Sequence, residues 1–157
     1  MVNALNIVTI NGRCKWTAKN SSQTLDLSCL SGKVLTTTEQ NMNGDIIADY
    51  SFSICANTQS CGQDNVMATQ HPKNLPGRCF NVGTFDPSIN PEFSDQSGGA
   101  QWVFTYLGDP TDCPSPGRQW IPTFICDQAT EYSIGVVQES RCAYSVPIRT
   151  KVSHCML

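Results

Sequence analysis

With 157 residues, 15% of them charged and a formal net charge of −3, the chain is sized for one domain with a real hydrophobic core. It has no lysine or arginine cluster of the kind that grips nucleic acid or an anionic membrane. Nine cysteines, at 14, 29, 55, 61, 79, 113, 126, 142 and 155, are spread over the whole length without the close C-x-x-C pairs of structural zinc sites, so they read as disulfides. That chemistry belongs to a lumenal or extracellular compartment. No run approaches the ~20 apolar residues of a membrane-spanning helix.

In chain order, residues 1 to 13 lack the basic and then apolar segments of a signal peptide, and Met1 is read as a start left by processing. "NSS" makes Asn20 a candidate N-glycosylation acceptor. Short segments rich in β-branched and aromatic residues then recur between clusters of turn formers, the all-β signature: "KVLTTTE", "DYSFSIC", "NVMATQ", "AQWVFTYLG", "RQWIPTFIC", "YSIGVVQE" and "CAYSVPIRT". In "AQWVFTYLG", Trp102, Phe104 and Tyr106 fall on one face and Val103, Thr105 and Leu107 on the other, which predicts a strand covered on both faces. "QHPKNLPGR", "DPSINPEFSDQSGG" and "GDPTDCPSPGR" supply the turns. A helix has room only near the N-terminus or between 127 and 134, and none is assigned. The chain has no internal repeat and no composition shift, so residues 1–157 are taken as a single domain.

Few residues could carry catalysis. The two histidines are His71 and His154, and the latter, beside Cys155 near the chain end, reads as structural or solvated. There is no Gly-x-Ser-x-Gly elbow, and the cysteines are committed to bridges. Acidic residues in turns, such as Asp86, Asp95 and Asp109, read as solvated or capping groups rather than a glycosidase pair. Arg118, Glu139 and Tyr144 are different, because each lies next to a cysteine-anchored strand. A planar guanidinium that donates in pairs, a carboxylate that accepts and a phenol that does both suit the vicinal hydroxyls of a sugar.

The last third, "WVFTYLGDPTDCPSPGRQWIPTFICD" followed by "VVQESRCAYSVPIRTKVSHC", resembles the mannose 6-phosphate receptor homology domains. It has their strand-ending Gly, Cys, Arg, Phe-x-Cys-Asp, Glu, Cys-x-Tyr and terminal Cys in order. "LDLSCL" and "DYSFSIC" are similar to that family's Asp-Leu-Ser turn and aromatic strand, so the likeness spans about residues 14–155. It implies a flattened β-barrel or sandwich of two crossed, mostly antiparallel sheets, stabilised by disulfides. It also implies a lectin with no enzymatic activity, no cofactor and no metal.

The family's Gln, Arg, Glu and Tyr quartet falls on Gln70, Arg118, Glu139 and Tyr144, with Gln101 and Glu131 as rivals for the first and third roles. By the resemblance, Gln70 and Arg118 contact the axial 2-hydroxyl of mannose, and Glu139 and Tyr144 hold the 3- and 4-hydroxyls. The bridges it implies are Cys14–Cys29, Cys113–Cys142 and Cys126–Cys155, with Cys55 joined to Cys61 or Cys79. The family's usual pattern favours Cys61 and leaves Cys79 unpaired. The family's phosphate-contacting loop corresponds to "GDPTDCPSPGR", which has no His or Lys, and its metal-ligand position falls nearest Pro110. The expected partners are mannose-containing N-glycans, phosphorylated or not, met in the secretory or endolysosomal lumen or outside the cell by a larger or membrane-anchored parent. A protein-interaction module on the same barrel is the competing expectation.

Overall fold

Alternation of apolar and polar residues organises the chain. In Ala143–Thr150, Tyr144, Val146, Ile148 and Thr150 are buried while the residues between them face outward. In Gln119–Cys126, Trp120, Pro122 and Phe124 are buried in the same way. A period of two puts one face of each strand into a core and leaves the other to solvent.

The computed structural model describes residues 8–10, 12–19, 23–96, 99–127 and 132–151. Its strands are β1 (Val8–Ile10), β2 (Lys15–Ala18), β3 (Gln23–Asp26), β4 (Val34–Gln40), β5 (Ile46–Ser53), β6 (Gln59–Cys61), β7 (Asp64–Val66) and β8 (Ala68–Pro72) in the first half. The second half holds β9 (Phe80–Gly83), β10 (Glu92–Gln96), β11 (Gly99–Val103), β12 (Tyr106–Leu107), β13 (Gln119–Cys126), β14 (Tyr132–Ile134), β15 (Gln138–Ser140) and β16 (Ala143–Thr150). Among the described residues the only helical turn is a short 3-10 segment, Ser28–Leu30.

Two sheets make the body. One runs β4-β5-β8-β9; the other runs β10-β11-β13-β16-β14, with β12 on β13 and β15 on β16. A three-stranded β1-β2-β3 sheet and the β6-β7 hairpin complete the fold. Among the described residues every strand pair is antiparallel except β13 with β16. The strands form separate sheets rather than a closed barrel.

Aromatic side chains join the sheets. Trp120 of β13 lies 5.1 Å from Phe52 and 5.9 Å from Tyr50 of β5, centroid to centroid. Gly83 at the end of β9 packs so closely on this indole that a Cβ there would stand 2.4 Å from Trp120 Cβ. Trp16 of β2 meets Phe104 at 4.7 Å, which docks the N-terminal sheet on the same core.

Several expectations change. "AQWVFTYLG" is two strands, β11 and β12, and only its aromatic face is covered: Thr105 is exposed and Leu107 is 52% exposed. Here Phe104 N–H donates to the Pro122 carbonyl as the chain shifts along β13. "NVMATQ" divides between β7 and β8, and "YSIGVVQE" between β14 and β15.

The cysteine pairing also differs. Cys14 bonds Cys55, and Cys61 bonds Cys79, so Cys79 is no odd thiol; Cys113 bonds Cys142. The expected Cys14–Cys29 pair fails because the β2–β3 register sets Leu27 against Cys14, with Leu27 N–H donating to the Cys14 carbonyl at 2.9 Å. Cys29 is then carried away in the 3-10 turn, and it is disulfide-bonded elsewhere. Cys55 is buried and bonded to Cys14, and the β6-β7 hairpin presents Cys61 to Cys79 instead. Cys126 is a free, half-buried thiol whose cross-strand neighbour is Thr150; its expected partner, Cys155, lies outside the described residues.

Candidate functional site

The inward rows of the two sheets end together at one edge of the molecule, and there the apolar side chains give way to polar ones. On β4 the row passes Leu35 and ends on Glu39. On β5 it passes Phe52 and Tyr50. On β8 it reaches Gln70, directly opposite Tyr50. On β13 the row of Phe124, Pro122 and Trp120 extends two residues back to Arg118. On β16 it begins at Tyr144, beside Trp120 and opposite Glu139 of β15. Residues directly opposite in neighbouring strands share a face, so Glu139 is on the side of Tyr144.

Arg118 is 7% exposed. It is delivered by a tight loop: Gly117, at φ +102°, lies where a Cβ would come 2.7 Å from Pro110 Cα, a backbone state and a space suited to glycine. The guanidinium closes the loop, with Nη1 donating to the carbonyls of Thr111 at 2.7 Å and Asp109 at 3.2 Å. It also lies over the Phe80 ring, 4.7 Å from its centroid, a cation–π contact. Its Nε is buried with no hydrogen-bond partner among the described residues.

The Tyr144 phenol interacts with both the Arg118 guanidinium and the Glu139 carboxylate. Burial, then the negative charge of Glu139, push its pKa up to about 12, against a smaller pull from Arg118. The carboxyl of Glu139 is raised from its ordinary value, first by partial burial and then by the charge of Glu39, while Tyr144 and Arg118 pull it down. Asp109 behaves oppositely: the Thr111 backbone N–H, 2.8 Å from its Oδ1, holds its carboxyl below the usual range.

A second group joins these. Tyr50 donates its single hydroxyl hydrogen to Glu39 Oε1 at 2.6 Å, so its oxygen is left to accept from Gln70 Nε2 at 2.9 Å. The Gln70 carbonyl oxygen therefore remains available as an acceptor. Glu39, Gln70 and Glu139 line a pocket of about 390 Å³, with Ile46, Ile47 and Pro72 on its apolar side.

The structure thus gathers Gln70, Arg118, Glu139 and Tyr144 at one edge and adds Glu39, Tyr50 and Phe80, which sequence reasoning did not single out. Alternation in "KVLTTTE" and "DYSFSIC" was the signal that could have found Glu39 and Tyr50, since both stand at inward positions. Gln101 is not brought in: it pairs with Ile125 near the far end of β13, about 20 Å along the strand from Arg118. Glu131, Asn20 and His154 lie outside the described residues.

This architecture of several sheets and disulfides is consistent with the fold of the mannose 6-phosphate receptor homology domains. Two solved structures share it. Chicken IGF2R domain 11 superposes with a TM-score of 0.60 at 15% identity, covering 92% of this chain and 93% of that one. Domain 11 of the echidna mannose 6-phosphate/IGF2R receptor gives 0.57 at 16% identity, covering 92% and 96%. No protein-family model and no curated protein matches the sequence. At this identity the likeness establishes the fold. The neighbours are receptor domains rather than enzymes, and the disulfides fit a secretory or extracellular setting. No helix among the described residues is long and apolar enough to cross a membrane.

Proposed function

We propose that the chain is a carbohydrate-binding domain that recognises terminal mannose, or its phosphomonoester, on N-glycans without chemically altering them, in glycoprotein sorting or quality control. The observation that carries this reading is the meeting of Gln70, Arg118, Glu139 and Tyr144 where the inward rows of two sheets end. In the proposed complex the Gln70 carbonyl oxygen and the Glu139 carboxylate accept from sugar hydroxyls, while Arg118 and the Tyr144 phenol donate. Discrimination follows from geometry, because a sugar lacking one hydroxyl leaves a shielded polar group unpaired.

Binding of the folded domain to an array of high-mannose, phosphomannosyl, galactosyl and glucosyl glycans tests this. Retention confined to mannose-terminated glycans is expected; an empty array, or a preference for galactose, would defeat it. A second reading, a protein-interaction module on the same fold, draws on the exposed apolar side chains that line the pocket, Ile46 and Ile47, 48% and 38% exposed. An empty array from a folded domain favours that alternative.

A further inference from the structure

Glu39 is an anomaly. It occupies an inward strand position, is only 8% exposed, and among the described residues has a phenol rather than a cation as its partner. A buried carboxylate without a counter-charge is costly, so its surroundings invite a functional account.

The β4–β5 register shifts between Glu39 and Gln40, the kind of bulge that re-aims a side chain. The strand is fastened to the segment before β15: Val137 N–H donates to the Thr38 carbonyl at 2.8 Å, and Thr37 Oγ1 donates to the Gly135 carbonyl at 2.6 Å. These ties bring Glu39 to the pocket that Glu139 also lines.

The nearby cations are engaged. Lys73, which itself lines the pocket, is paired with Asp49 at 2.6 Å, and Arg78 lies over the Phe80 ring, 5.5 Å from its centroid. Arg118 spends Nη1 on two carbonyls and lies against Phe80. The loop leading to Arg118 contributes Asp109 and Asp112 and no lysine or histidine.

We infer that Glu39 is a further specificity-determining residue of this site: it fixes the Gln70 amide through Tyr50 and, together with Glu139, sets two carboxylates against one ion-paired lysine, so that the pocket takes a neutral terminal hexose and rejects a phosphomonoester. The inference rests on the lectin reading above and narrows its ligand. A phosphomonoester carries about −1.5 to −2 charges at neutral pH, and two carboxylates oppose it while the charge of Lys73, which also lines the pocket, is shared with Asp49.

The test compares one high-mannose glycan and its 6-phosphomonoester, each titrated against the wild-type domain and Glu39→Gln, which keeps an acceptor for Tyr50 but removes the charge. The wild type should bind the phosphorylated glycan at least tenfold more weakly than the neutral one, and Glu39→Gln should narrow that ratio severalfold. General structural damage would weaken both ligands and leave the ratio alone. Should the variant fail to fold, the wild-type ratio must instead shrink as added salt screens the carboxylates. Equal or tighter wild-type binding of the phosphorylated glycan, or a ratio indifferent to both the substitution and salt, overturns the inference while leaving the lectin reading intact. Binding of neither glycan by the wild type overturns the lectin reading and this inference with it.

Discussion

Glu139 has its proton affinity set by neighbours on three other elements: Glu39 from β4, Tyr144 from β16 and Arg118 from the loop before β13. Partial burial and the Glu39 charge raise its pKa by more than Tyr144 and Arg118 lower it. If the carboxylate accepts sugar hydroxyls, affinity should fall as pH drops toward this raised pKa, earlier than for an ordinary glutamate. Stability of the free protein runs the other way. The folded state holds this proton more tightly than the unfolded chain, so the contribution of Glu139 to stability declines as pH rises from the ordinary glutamate value through the raised one. Glycan titrations and thermal midpoints between pH 7 and 4.5 should show both trends, and Glu139→Gln should flatten both; a wild-type affinity flat over that range contradicts the assigned role. Arg118, Glu139 and Tyr144 were legible in the sequence because their chemistry and cysteine neighbours advertise them. Glu39 and Tyr50 were not, because a glutamate ending a threonine-rich strand reads as solvated until β5 and β15 are placed around it.

At the scale of elements, the β15–β16 hairpin sets the geometry of the pair it carries. Its two turn residues, Arg141 and Cys142, have φ of +50° and +65°, as the primed two-residue turn that matches strand twist requires. That turn puts Glu139 directly opposite Tyr144, and the bond from Cys142 to Cys113 ties it to the loop that delivers Arg118. Neither arginine nor cysteine favours the left-handed region, whereas asparagine visits it readily. Arg141→Asn should therefore stabilise the domain by about 0.5–1 kcal/mol, seen as a higher denaturant midpoint with glycan binding unchanged. A lower midpoint would mean that the exposed Arg141 side chain contributes more than its backbone conformation costs. The long strands β4, β5, β13 and β16 could be read from alternation and β-branched content. The short β1, β2, β3, β6 and β10 could not, since three to five residues carry too little periodicity, and the cysteine pairing follows from strand register, which spacing does not reveal.

For the whole molecule, the site depends on two sheets meeting over Trp120, with the aromatic rows beneath acting as the floor for the polar edge. Gly83 permits that approach. Gly83→Ala would force a methyl against Trp120 Cβ and should destabilise the protein by about 1–3 kcal/mol, measured by chemical denaturation; an unchanged midpoint would show that the sheets can separate without loss. The most direct test of the lectin account is calorimetric titration of a terminal-mannose N-glycan into the wild type and Arg118→Lys, with matched thermal unfolding to show that both are folded. An ammonium cannot reproduce the planar fork of the guanidinium, so the account predicts a loss of about 1.5–3 kcal/mol of binding free energy, the range of a charged hydrogen bond. Wild-type affinity in folded Arg118→Lys, and again in folded Arg118→Ala, would contradict it.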